Sequence, residues 1–85
     1  MKSRTVTYRG RRYGHQQIWA LVNDLRANEW TVCLRGVPGD GQCWVAQLNY
    51  NVDGSGGSRV GETPWIAICR NVEEIVPVCE NPNEQ

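Results

Sequence analysis

The spacing of apolar residues changes period twice along this chain, and that limits its fold more than any other feature. Over residues 15–29, Ile18, Leu21, Val22 and Leu25 recur at intervals of three and four, which stacks them on one face of a helix. Over residues 30–52 the interval falls to two. Trp30, Val32 and Leu34 alternate with Thr31, Cys33 and Arg35, then Trp44, Ala46, Leu48 and Tyr50 alternate with Cys43, Val45, Gln47 and Asn49. From Thr63 the helical interval returns, with Trp65, Ile68, Cys69, Val72, Ile75 and Val76 along one side. Each helix owns one apolar stripe, and the strand pair owns one apolar face. Laying both helices across that face buries all three, so the chain is predicted to be a two-layer α+β sandwich in the order αββ(β)α.

Breaker residues place the boundaries. Val37-Pro38-Gly39-Asp40-Gly41 suits a tight reversal between the two strands. Pairing Gly36 with Gln42 sets Val32 opposite Ala46 and Leu34 opposite Trp44, with both apolar sets on one face. Cys33 then lies opposite Val45 and Cys43 opposite Arg35, too far apart for an easy disulfide. Asp53-Gly54-Ser55-Gly56-Gly57-Ser58 reads as a flexible turn, after which Arg59-Val60-Gly61 adds a short third strand. Thr63 is placed to cap the second helix, Pro64 takes its first position, and Pro77 ends it at Val76 or before. The sandwich is predicted over 15–77, after a basic arm or short strand at 1–14 built on the β-prone Thr5-Val6-Thr7-Tyr8. Residues 78–85 read as a frayed tail.

With 85 residues there is room for one domain and little for a large enclosed pocket. Nine basic and nine acidic side chains cancel, which excludes the strong overall field of a general nucleic-acid or membrane-surface binder. The sequence holds no long apolar run and no apolar N-terminal stretch, so a soluble, cytoplasmic protein without membrane contact is predicted. Cys33, Cys43, Cys69 and Cys79 include no C-x-x-C pair, and His15 is the sole histidine. Four reduced thiols, no metal site and no cofactor are expected. Glu73 and Glu74 are adjacent and point apart on a helix, and the glycines at 54–57 lead into a strand without a phosphate-binding Lys-Ser or Lys-Thr end. A non-enzyme is predicted.

The residues left over are aromatic and basic. Arg9, Arg11 and Arg12 interleave with Tyr8 and Tyr13, and Trp19 projects about 100° from Ile18, off the apolar stripe. Tyr, Trp and Arg are the residue types enriched at interface centres. Tyr8, Arg9, Arg11, Arg12, Tyr13 and Trp19 are therefore the candidate partner-binding residues, with the tyrosines and Trp19 as exposed anchors. Residues 62–85 hold five Glu against one Arg, so a basic end and an acidic end are expected. Binding to a protein surface fits this polarity. The alternative is a nucleic-acid-binding accessory protein that uses the basic N-terminal segment.

Glu62-Thr63-Pro64-Trp65-Ile66-Ala67-Ile68-Cys69-Arg70, together with the helix and aromatic-rich hairpin before it, resembles the phage ABA-sandwich domain family over residues 15–76. The resemblance implies the αββ(β)α sandwich and a phage origin, and it carries no catalytic residue. The basic N-terminal segment has no counterpart in that pattern. Small phage proteins of this kind often disable host defences, as anti-CRISPR proteins do, which makes a host protein or defence complex the expected partner of a monomer or homodimer. Asp40-Gly41-Gln42-Cys43-Trp44 resembles the signature of ovarian-tumour-type cysteine proteases. That chemistry needs a thiolate held by a histidine, which those proteases place far downstream in a much larger domain, whereas the sole histidine here, His15, lies upstream. The order helix, three strands, helix also resembles the double-stranded-RNA-binding domain. Its last helix opens with a lysine cluster, whereas no cation follows Thr63 here until Arg70.

Overall fold

The computed structural model describes residues 4–39 and 41–80. Two three-residue strands, β1 (Val6–Tyr8) and β2 (Arg11–Tyr13), open the chain. A 3₁₀ turn at His15–Gln17 leads into α1 (Ile18–Ala27). Then follow β3 (Trp30–Val37), β4 (Cys43–Tyr50), β5 (Gly56–Gly61), α2 (Pro64–Glu74) and the short α3 (Val76–Glu80). Strands β3, β4 and β5 form one antiparallel sheet in that order, and β1 and β2 form a separate ribbon.

The architecture is α+β, a small antiparallel sheet under two helices, as the apolar spacing predicts. Leu21, Val22 and Leu25 of α1 join Trp65, Ala67, Ile68, Cys69 and Val72 of α2 in one core with Trp30, Val32, Ala46 and Leu48 of the sheet. On the other face Thr31, Cys33, Arg35 and Asn49 are exposed and Val45 and Gln47 half-buried. Alternation makes one face apolar, and the two helical stripes cover that face. Thr63 caps α2, its Oγ1 accepting from the Ile66 N–H at 3.1 Å, with Pro64 at the first position. Within the core Asn71 ties α2 to the sheet, donating from Nδ2 to the Ala46 carbonyl at 2.8 Å and the Ala67 carbonyl at 2.9 Å.

The hairpin register differs from the predicted one by two residues. Gly36 pairs with Trp44, Leu34 with Ala46, Val32 with Leu48 and Trp30 with Tyr50. The shift preserves parity, so the same side chains face the core. Its cause lies at the far end, where Trp30 stacks on Tyr50 with ring centroids 4.7 Å apart. Aromatic pairs at directly opposed positions are among the stronger cross-strand contacts. Cys33 lies opposite Gln47 and Cys43 opposite Val37, and all four cysteines are free. Burial pushes the Cys69 thiol up to about 12. Strand β5 begins at Gly56, three residues before the predicted third strand, so the flexible turn is shorter than expected.

Both ends of the described residues belong to the fold. Residues 6–13 form a hairpin rather than a free arm, turning through Arg9 at φ 51° and Gly10 at φ 83°. Two consecutive positive φ angles match the right-handed twist of the flanking strands. At the other end, the predicted frayed tail begins inside α3. Pro77 is tolerated there because it occupies the first turn, where its missing N–H breaks no helical bond. The tail reading of 81–85 lies outside the described residues.

Candidate functional site

The candidate residues were grouped by sequence as a basic, aromatic N-terminal surface, and the structure divides them. Tyr8 and Tyr13 are 4% and 2% exposed, so their reading as exposed anchors is overturned. In a three-residue strand every second side chain faces inward, and Val6, Tyr8 and Tyr13 share the face turned to the core. Tyr8 donates its hydroxyl to Glu80 Oε2 at 2.5 Å. Tyr13 donates to Asp24 of α1. Burial, and then the hydrogen bond to a carboxylate, push both phenols above their usual range, so both stay protonated at neutral pH.

The arginines are divided as well. Arg9 pairs with Glu80 at 3.2 Å and Arg11 with Asp24 at 3.4 Å, each with its guanidinium over the ring of the neighbouring tyrosine. Arg4 pairs with Glu73. The basic N-terminal segment and the acidic C-terminal segment lie against each other, so the expected separation into a basic end and an acidic end is corrected. Opposite charges far apart in sequence attract on folding, and three pairs form between residues 4–11 and the helices. Arg12, opposite Thr7 on the outer side of the ribbon, is exposed and makes no ion pair among the described residues.

Trp19 is exposed, as its angle from the apolar stripe predicts. It is 64% exposed on the side of α1 turned from the core. Asn23 and Arg26, one and two turns on, are exposed on the same side. Arg26 was not among the sequence candidates, although its i+7 spacing from Trp19 carries the signal. The ribbon bearing Arg12 is fastened to this helix through Asp24, which takes hydrogen bonds from both Tyr13 and Arg11.

Two other places hold reactive groups. The carboxylate of Glu80, 7% exposed, accepts from Tyr8 and, at 2.6 Å, from the Trp30 indole N–H, with Arg9 on its other oxygen. A buried acid against a tyrosine resembles a proton-transfer pair, but both carboxylate oxygens are occupied by structural donors. An open recess of about 380 Å³ at the tip of the β3–β4 hairpin is lined by Gly36, Val37, Pro38, Gln42, Cys43 and Trp44. Cys43 is its one ionisable lining residue, without a base beside it in that lining. Among the described residues no cluster of three or more His, Cys, Asp or Glu is arranged to hold a metal ion, and no helix is long and apolar enough to cross a membrane.

No protein-family model matches the chain, and neither a curated protein nor a solved structure matches it at a significant level.

Proposed function

We propose that this chain is a non-enzymatic binding module that occupies a protein surface through the outer side of α1, with Trp19 at the centre and Arg26 beside it, and with Arg12 on the outer side of the β1–β2 ribbon as a further contact. The observation that carries the reading is the exposure of Trp19. Its large indole is left in water on an otherwise polar helix side, and Trp and Arg are the residue types that dominate interface energies. The resemblance to phage ABA-sandwich proteins makes a host protein, such as a defence component, the expected class of partner. Nucleic-acid binding is less well supported, because Arg4, Arg9 and Arg11 are spent on Glu73, Glu80 and Asp24.

The pairing also selects the variants. Charge reversal at Arg11 would break the contact to Asp24, so its effect on binding would be mixed with an effect on folding. Trp19→Ala and Arg12→Glu touch no buried contact and are expected to shift stability by no more than about 0.5 kcal/mol. Affinity capture from bacterial extract, with wild type and Trp19→Ala side by side, is expected to show a protein retained by the first and lost from the second. A truncated hot-spot tryptophan costs about 2–4 kcal/mol of binding, or roughly 30- to 1000-fold. Equal capture by both proteins contradicts the reading. Micromolar, steeply salt-dependent binding of labelled duplex or single strands would favour nucleic acid instead.

A further inference from the structure

The two edges of the sheet are treated differently. The Asn51 N–H donates to the Glu29 carbonyl and the Tyr50 N–H to the Ser55 carbonyl, each at 2.7 Å. Antiparallel ladders alternate, so these two bonds set the direction of the backbone groups that follow. On β5, Gly57, Arg59 and Gly61 aim at β4, while Gly56, Ser58 and Val60 aim outward. The Ser58 carbonyl accepts from the Arg59 guanidinium and the Val60 carbonyl from that of Arg70, each at 2.8 Å. Those two outward carbonyls of β5 are thus capped by charged side chains, a common way to blunt an edge.

On β3 the groups aimed outward belong to Trp30, Val32, Leu34 and Gly36. Among the described residues none of them has a backbone or side-chain partner beyond the edge. An uncapped eight-residue edge is a template for another strand. Its charges choose the strand. Arg35 on β3 and Glu29 just before it are both exposed, and neither forms an ion pair among the described residues.

We infer that β3 pairs with β3 of a second copy, antiparallel across a two-fold axis at Val32, joining two three-stranded sheets into one of six strands. In that register Thr31 of each copy stands opposite Cys33 of the other, and Arg35 comes level with the entry to the other strand, where Glu29 precedes that strand with a left-handed backbone at φ 75°. Centring the axis on Cys33 sets Arg35 against Thr31, centring it on Leu34 sets it against Cys33, and centring it on Arg35 opposes two like charges. The Val32 register brings Arg35 of one copy level with Glu29 of the other twice. This association uses a different surface from α1 and stands apart from the reading of Trp19; a dimer would present that anchor twice.

Sedimentation or light scattering across about 1 μM to 1 mM protein under reducing conditions is expected to show a monomer–dimer equilibrium. Arg35→Glu should raise the dissociation constant about tenfold or more, because it sets a like charge level with Glu29 at two places. Adding Glu29→Arg in the same chain should restore dimerisation. Under a mild oxidant, Thr31→Cys should give a covalent dimer through Cys33 of the other copy, since directly opposed β-carbons lie at about disulfide distance. A monomer at every concentration overturns the inference. So does a dimer that Arg35→Glu leaves unchanged, or one that Thr31→Cys does not trap.

Discussion

Replacing Glu80 with alanine is expected to lower the free energy of unfolding by about 2–6 kcal/mol, the cost of leaving two buried hydrogen-bond donors without their acceptor. The carboxylate of Glu80 is almost closed to water, and three elements meet on it. It takes the Tyr8 hydroxyl from β1 and the Trp30 indole N–H from the start of β3, while held by α3. Without it, two buried donors have no acceptor, at about 1–3 kcal/mol each. Arg9 contributes little to the loss, because its side chain is 54% exposed and regains water. Glu80→Gln keeps one acceptor oxygen and should fall between wild type and Glu80→Ala in urea unfolding. The same alanine in a Tyr8→Phe background should cost about 1 kcal/mol less, since one orphaned donor is already gone. A domain of this size has about 5–10 kcal/mol to lose, so Glu80→Ala sits near the limit of folding. A change under about 1 kcal/mol would show that Glu80 is not buried as described.

The second large effect is at Gly61, the last residue of β5, where the strand passes beneath the first turn of α2. A β-carbon there would lie 2.5 Å from the Ala67 amide nitrogen and 2.9 Å from the Ile66 carbonyl carbon. Both are backbone atoms of a helix fixed in the core, so neither can swing away as a side chain would. Gly61→Ala is expected to cost about 3 kcal/mol, at the upper end for inserting one methyl into a packed site. Gly41→Ala is the control. A β-carbon at Gly41 meets nothing within 4 Å, and the change should stay within about 0.5 kcal/mol. Similar melting temperatures for the two variants would mean that α2 does not approach β5 as closely as described.

How far the sequence reached depends on the range of the interactions involved. The stripe Ile18, Leu21, Val22, Leu25 and the alternation through β3 and β4 are local periodicities, and both led to the correct layers. Parity fixed which side chains face the core, but the hairpin register needed one more contact, the Trp30–Tyr50 stack at the end away from the turn. The exposure of Trp19 was legible because its angle from the stripe follows from helix geometry alone. The burial of Tyr8 and Tyr13 is not legible locally because it depends on acids elsewhere in the chain. Tyr8 meets Glu80, 72 residues away, and Tyr13 meets Asp24 on the far side of a turn. The Arg9-Gly10 turn lacks the Asn-Gly signal of most two-residue hairpins, and Glu80 sits in a stretch that reads as tail. Segments with opposite charge at the two ends of a chain look like poles in one dimension and become partners in three.

The central claim is that residues 6–13 are a structural ribbon locked to the core. Amide hydrogen exchange across this segment tests it most directly. In a two-residue hairpin the residues flanking the loop exchange both hydrogen bonds, so the amides of Tyr8 and Arg11, and then Val6 and Tyr13, lie inside the ladder. The account predicts that these amides exchange about 100-fold or more slowly than in an unstructured peptide, while that of Arg12, aimed outward, exchanges fast. Uniformly fast exchange from Val6 to Tyr13 in a protein whose α1 and α2 amides remain protected would contradict it, and would return the segment to a free basic arm.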